Sequence, residues 1–213
     1  MFSQRSGNRS TITQPAELIK EKLLFAKKFA AAPRTVGSVT PSSPQLISSM
    51  FRNVDWQKTG VIAELGAGTG VMTKEILKLK APGSLFFAFE IEKELREMLK
   101  RDLKIDVYDD AAKLPRALEA AHGRKADLII SGLPFAVLPR DTTLAVMRAV
   151  LRSLSDNGTF IAFQYSFHMK SAFERMFEEV STRLVVMNIP PAVVYECRGV
   201  NRQRGAVPCG KEQ

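Results

Sequence analysis

The run Val61-Ile62-Ala63-Glu64-Leu65-Gly66-Ala67-Gly68-Thr69-Gly70 constrains this chain more than any other stretch. Residues 61–65 are apolar except for one acid and are short enough for a buried parallel strand. Gly66, Gly68 and Gly70 then admit positive φ and let a ligand approach the backbone with no Cβ in the way. Past them, Val71, Met72, Ile76, Leu77 and Leu79 recur at near-helical spacing and predict a helix over 69–80. Strand, glycine turn and helix together present backbone N–H groups and a helix N terminus to a nucleotide-like ligand. A tight strand-to-helix turn with no ligand is the competing reading of the glycines taken alone.

A dinucleotide-binding loop has the pattern G-x-G-x-x-G. Here the third glycine falls one residue early, and Glu64 sits two residues before the first. A carboxylate at that place repels a pyrophosphate and attracts a ligand carrying an ammonium and a sulfonium. The loop therefore points to S-adenosylmethionine over NAD, with Glu64, Gly66, Ala67, Gly68 and Gly70 as its contacts.

After this loop, apolar runs and helical patterns alternate. Strands are predicted at 84–89, 105–108, 126–130, 159–164, 183–189 and 192–197, with helices at 92–101, 111–121, 141–154 and 169–179. Asp141 is read as a helix cap and Asn157-Gly158 as a turn into the fifth strand. The last two strands, joined at Pro190-Pro191, are close enough to pair as a hairpin. The pattern implies an α/β fold: a seven-stranded, Rossmann-like, largely parallel sheet with helices on both faces. Ahead of it, 1–14 reads as a mobile polar arm, and Pro15 opens an amphipathic helix to about residue 31. Leu18, Ile19, Leu23, Phe25, Ala26, Phe29 and Ala30 share the apolar face of that helix, with Glu17, Lys20, Glu21, Lys27 and Lys28 opposite, Leu24 on the polar side and Lys22 within the apolar arc. Such a helix can lie in a membrane interface or pack on the sheet, and both readings stand. A Pro, Ser, Thr and Gly linker at 33–44 and a short helix at 45–51 complete a lid-like segment to residue 55. Trp56 is read as a core anchor. The cofactor domain is then 56–199, and 200–213 is a basic tail.

The net charge of +9 is unevenly placed: +6 up to Gly60, +3 from Arg198 and zero between. A neutral body with basic ends implies a polyanionic partner, either an anionic phospholipid surface or RNA, although solubility alone also accounts for charge. Cys197 and Cys209 lack CxxC spacing, so neither a metal site nor a disulfide framework is expected. With no apolar run long enough to span a bilayer, the expected setting is cytoplasmic, peripheral to the inner face of the membrane.

In an open parallel sheet ligands sit beyond the carboxyl ends of the strands. There stand Glu90 with Ile91, about twenty residues past the glycines, where an acid can take both ribose hydroxyls. Asp109 or Asp110, followed by Ala111, can accept from an adenine amino group or cap the next helix. Ser131-Gly132-Leu133-Pro134-Phe135 supplies a rigid turn with an aromatic wall, and its backbone carbonyls can hold an amine. Past the fifth strand Tyr165 and His168 are candidate proton acceptors or substrate contacts.

With these residues in place the chain resembles the class I S-adenosylmethionine-dependent methyltransferases, and within them the bacterial phospholipid N-methyltransferases, which are related to the ribosomal RNA adenine dimethylases. Glu64 to Gly70 is common to many methyltransferases. More particular are Gly37-Ser38-Val39-Thr40-Pro41-Ser42, Ser131-Gly132-Leu133-Pro134 and Asn188-Ile189-Pro190-Pro191-Ala192. The resemblance implies transfer of methyl groups to the headgroup amine of phosphatidylethanolamine or a related aminolipid, with Glu64, Gly66, Gly68 and Glu90 as cofactor contacts and Asp110 as the adenine-side match. It also implies membrane attachment through the N-terminal helix. The adenine dimethylases place Asn or Asp where Gly132 stands, so RNA adenine methylation is the rival enzyme reading. A non-catalytic lipid- or nucleic-acid-binding protein is a third.

Overall fold

The computed structural model describes residues 43–120 and 123–201. The N-terminal arm, the 15–31 helix, the Gly37–Ser42 motif, His122, Cys209 and the tail from residue 202 lie outside the described residues. In chain order the α-helices and strands are α1 (Pro44–Phe51), β1 (Val61–Leu65), α2 (Val71–Leu79), β2 (Leu85–Phe89), α3 (Lys93–Leu103), β3 (Val107–Tyr108), α4 (Leu114–Ala120), β4 (Ala126–Ser131), α5 (Arg140–Ser153), β5 (Leu154–Gln164), α6 (Lys170–Met176), β6 (Phe177–Val185) and β7 (Ala192–Val200). Short 3₁₀ turns at Ala111–Lys113 and Phe167–Met169 lead into α4 and α6.

The strands form one seven-stranded sheet in the order β3-β2-β1-β4-β5-β7-β6. Strands β1 to β5 are parallel, β7 runs antiparallel to β5, and β6 pairs antiparallel with β7. The expected hairpin is thus present. The strand order reverses between β1 and β4, both of which are central, so the loops after those two strands open into one crevice.

Every residue of β1 is buried, as a strand covered on both faces must be. Alternation divides its side chains between two cores. Val61, Ala63 and Leu65 join Leu118 of α4, Val150 of α5 and Phe173 of α6 on one face. Ile62 joins Leu46 and Met50 of α1 and Met72 and Ile76 of α2 on the other. Glu64, two residues after Ile62, points to the α2 side by the same period. Helix α1 begins at a Ser43 cap, whose side chain accepts from the Leu46 amide at 3.2 Å, with Pro44 in the first turn. Trp56 stacks edge-on against Phe51 at 5.0 Å, at the margin of this core.

Four boundaries differ from the sequence expectations. Helix α6 ends at Met176, and the sixth strand starts at Phe177 and ends at Val185. Residues 177–185 form the sheet edge, so most side chains there are exposed, and Glu178 and Glu179 hide the strand from a periodicity argument. Helix α5 starts at Arg140 after Pro139, which puts Asp141 in its first turn, favoured by the helix dipole rather than capping. Strand β5 begins at Leu154, and Asn157-Gly158 lies within it at a register shift against β4. A Cβ on Gly158 would stand 2.9 Å from the Ala126 carbonyl, so the glycine serves close strand contact and not a turn. Strand β3 is only Val107–Tyr108.

Candidate active site

The glycine loop is anchored from below and from both sides. Gly66, Gly68 and Gly70 have φ of +81°, +56° and +78°, the left-handed region in which a side chain is strained. The Gly66 and Ala67 amides donate to the Phe89 carbonyl at 2.8 and 3.0 Å, tying the loop to the end of β2. Gly70 serves as the N-cap of α2, and a Cβ there would stand 2.4 Å from Leu99 Cδ2. A Cβ on Gly66 would reach to 2.8 Å from Leu133 Cδ2, whereas one on Gly68 would meet nothing within 4 Å. Gly66 therefore permits contact between two loops, and Gly68 leaves an open cradle.

Glu64 lies under this loop, fully buried, and its Oε2 accepts a 2.7 Å hydrogen bond from Thr73 Oγ1 in the first turn of α2. Its Oε1 has no hydrogen-bond partner. Burial pushes the carboxyl up from its ordinary 4.5 to about 7; the Thr73 hydrogen bond opposes that rise and the nearby Glu90 adds to it. A buried carboxyl with one oxygen unmatched is completed by a cationic ligand, so the donor set fits the ammonium and sulfonium of S-adenosylmethionine.

Glu90, at the end of β2 and 6% exposed, clamps the opposite side. Its Oε2 accepts from the Gly68 amide at 2.8 Å and its Oε1 from the Glu92 amide at 3.0 Å. The Arg96 guanidinium donates to the carbonyls of Glu90 and Ile91, at 2.9 and 2.6 Å, which fixes the turn carrying the exposed Ile91 side chain. At the end of β3, Asp110 Oδ1 accepts from the Ala112 amide at 2.8 Å and caps the 3₁₀ turn containing Ala111. Asp109 pairs with Lys113 at 3.0 Å, and that hydrogen bond holds its carboxyl below the usual range.

The β4 loop closes the crevice. Ser131 is buried and its Oγ accepts from the Leu133 amide at 3.2 Å; the Gly132 amide donates to the Leu65 carbonyl at 2.9 Å. The Leu133 carbonyl accepts from Gln164 Nε2 at 2.8 Å, so β5 holds the loop from its other flank. Pro134 continues the turn, receiving the amides of Val137 and Leu138 at its carbonyl. In place of an open aromatic wall, Phe135 is 3% exposed and packs edge-on against Phe173 in the core, 6.2 Å between centroids. Its bulk is needed under the loop, where the sheet ends and the α6 core begins.

Tyr165 and His168 lie past β5 on the exposed side of the same sheet edge, and the Phe163 ring meets Tyr165 edge-on at 5.8 Å. Tyr165 lies beside Asn188; burial raises its phenol above 10, and the Asn188 side chain opposes that rise. Among the described residues no group of three or more His, Cys, Asp or Glu is arranged to hold a metal ion. Three polar roles were not read from the sequence: Thr73 on Glu64, Gln164 as the brace of Leu133, and Asn188 as the inward brace of the β6–β7 turn. A threonine flanked by the apolar Met72 and Ile76 on the inward face of α2 was the available signal for the first.

No protein-family model matches the chain. It is 32% identical over 188 residues to an ornithine lipid N-methyltransferase of Singulisphaera acidiphila, covering 85% of this chain and 98% of that one. Its fold is similar to that of N-methyltransferase NodS from Bradyrhizobium japonicum WM9, with a TM-score of 0.60 at 9% identity, covering 76% of this chain and 98% of the other. It also resembles DhpI in its complex with SAH, with a TM-score of 0.57 at 14% identity over 88% and 95% of the two chains. The sheet order, the glycine cradle and these likenesses define a class I S-adenosylmethionine-dependent methyltransferase, an enzyme with S-adenosylmethionine as its cofactor. Within that class the chain belongs to the N-methyltransferase family of the Singulisphaera enzyme.

Proposed function

We propose that this enzyme methylates the primary amine of a lipid headgroup at a membrane surface, with phosphatidylethanolamine or a related aminolipid, ornithine lipid included, as acceptor. The observation that carries the reading is the 32% identity along almost the whole of an ornithine lipid N-methyltransferase. The β4 loop supports it. A Cβ on Gly132 would stand 3.2 Å from the Gly66 carbonyl and 3.7 Å from Phe163 Cε1, so the side-chain acceptor of the adenine dimethylases is both missing and crowded out.

S-adenosylmethionine, when bound, supplies a methyl group already activated by its sulfonium. The protein is left with alignment, desolvation and one proton. Glu64, the glycine cradle and Glu90 would hold the cofactor; the Ser131–Phe135 loop, braced by Leu65, Gly66 and Gln164, sets the wall against which an amine is aimed. The acceptor must present its nitrogen lone pair, so its ammonium form loses a proton first. Tyr165 is a poor recipient, because a phenol is already protonated in the neutral range and partial burial raises it further, and it serves to orient the headgroup. The exposed His168 or water takes the proton at the mouth of the crevice. The basic N-terminal segment, if it forms the amphipathic helix its sequence predicts, would draw the enzyme to an anionic membrane.

Expression of the gene in a host without N-methylated lipids, followed by mass spectrometry of the lipid extract, tests this reading. Mono-, di- or trimethylated aminolipid that disappears with a Gly68→Trp variant supports it. An unchanged lipid profile alongside newly methylated adenine in RNA would favour the dimethylase reading.

A further inference from the structure

Three loops meet at the carboxyl edge of the sheet. The register places Leu65 beside Ser131, Ser131 beside Ala162, Gln164 beside Val193 and Val185 beside Ala192. The β4–α5 loop, the segment after β5 and the β6–β7 turn therefore all lie on the side where the crevice opens. Beside the exposed Tyr165, Ser166 and His168 they turn out five large apolar side chains: Val137 is 41% exposed, Phe167 54%, Val186 63%, Met187 69% and Ile189 67%. Residues 134–139, 165–169 and 186–191 contain no Asp, Glu, Lys or Arg, in a chain in which a quarter of all residues are charged.

The polar groups of the β6–β7 turn are directed inward. Asn188, 3% exposed, donates from Nδ2 to the Pro190 carbonyl at 2.7 Å, accepts from the Ser43 amide at Oδ1 at 3.2 Å and lies beside Tyr165. Pro190 and Pro191 have no N–H to leave unpaired. A turn with Asn188 folded inward, two prolines and three large apolar side chains turned out presents an apolar tip suited to the headgroup–acyl boundary. Nucleic acid is bound through phosphate contacts from cations, and this rim has none.

We infer that the rim formed by Val137, Phe167, Val186, Met187 and Ile189 inserts into the headgroup–acyl boundary of a bilayer and seats the crevice over its substrate. This contact is separate from the basic N-terminal segment and rests on the lipid-acceptor reading. The turn enters, Asn188 keeps its shape, and Tyr165 joins it to the site. A lipid amine then reaches the crevice without leaving the membrane.

The full chain carrying Trp56→Phe and Met187→Trp has a single indole, because Trp56 is the only native tryptophan. On vesicles of phosphatidylethanolamine and phosphatidylglycerol its emission should shift to the blue and be quenched by bromine on the upper acyl carbons. Unchanged emission with protein bound to the vesicles would overturn the inference. A Val186→Ser, Met187→Ser, Ile189→Ser variant should lose on the order of tenfold in transfer to vesicle lipid. Its transfer to a short-chain aminolipid dispersed as monomers should stay within about twofold. Equal loss on both substrates, or no loss on vesicles, would contradict the rim. A concentration-dependent dimer abolished by the same variant, with no quenching, would assign the patch to a second copy of the chain. If the unmodified enzyme methylates no lipid at all, the acceptor assignment fails, and the indole reading decides the rim by itself.

Discussion

Thr73 Oγ1 donates a 2.7 Å hydrogen bond to Glu64 Oε2 beneath the glycine loop, and the second oxygen of that carboxyl has no partner. The pair joins the end of β1 to the first turn of α2, the two elements that hold the cradle. It also sets a pH dependence. The fold keeps the Glu64 proton up to about pH 7, whereas the unfolded chain releases it near 4.5, so between those values the folded state binds more protons and its stability falls as pH rises. At about 1.4 kcal/mol per pH unit, the cofactor-free enzyme loses about 3 kcal/mol across that window. Urea unfolding at pH 5 and pH 8 should show this, and a Glu64→Gln variant should lose most of the difference. The variant should bind S-adenosylmethionine on the order of tenfold or more weakly, because the charge that meets the cation is gone. In the wild type, calorimetry at pH 7 in buffers of different ionisation enthalpy should register release of about half a proton on binding.

Glu90 holds the loop through two backbone amides, those of Gly68 and Glu92. Glu90→Gln keeps the shape but can accept through only one oxygen, so one of those amides loses its acceptor. Cofactor affinity should fall about ten- to a hundredfold, with KM for the lipid changed by less than about threefold. A parallel loss of both would place Glu90 in general loop folding and not in cofactor binding.

Gly66→Ala combines a φ of +81° with a Cβ that would stand 2.8 Å from Leu133 Cδ2. The left-handed backbone costs about 1–2 kcal/mol, and the displaced Leu133 shifts the loop that aims the amine. Gly66→Ala, Leu133→Ala removes the clash and keeps the strain. Partial recovery of kcat in the double variant, without recovery of thermal stability, is the expected pattern.

Tyr165 remains protonated through the neutral range. The wild-type rate should therefore show no dependence on tyrosine ionisation below pH 9, and Tyr165→Phe should keep its pH profile while KM for lipid rises. Loss of a basic limb in the profile of Tyr165→Phe would make the phenol the proton acceptor instead.

The cofactor half of this site was legible because its chemistry is local in sequence. Glu64 and the glycines fall within seven residues, and strand alternation explains why the acid faces α2. The expectation that Phe135 lines the crevice did not hold, because a turn residue reads the same whether its ring points to solvent or to a core built around Phe173, far along the chain in α6. Thr73 and Gln164 act through partners 9 and 31 residues away, and Asn188 is held by the Ser43 amide 145 residues away, at distances in sequence that no spacing rule reaches. The start of β6 was missed for a different reason: an edge strand buries little, so Glu178 and Glu179 carry no alternation to read.

Transfer of labelled methyl from S-adenosylmethionine to aminolipid vesicles, run beside the same reaction with total RNA, tests the central claim most directly. Label is expected in the organic phase on phosphatidylethanolamine or ornithine lipid, none in RNA, with loss of the signal in Gly68→Trp. Label confined to adenine in RNA, with the lipid unlabelled, would contradict it.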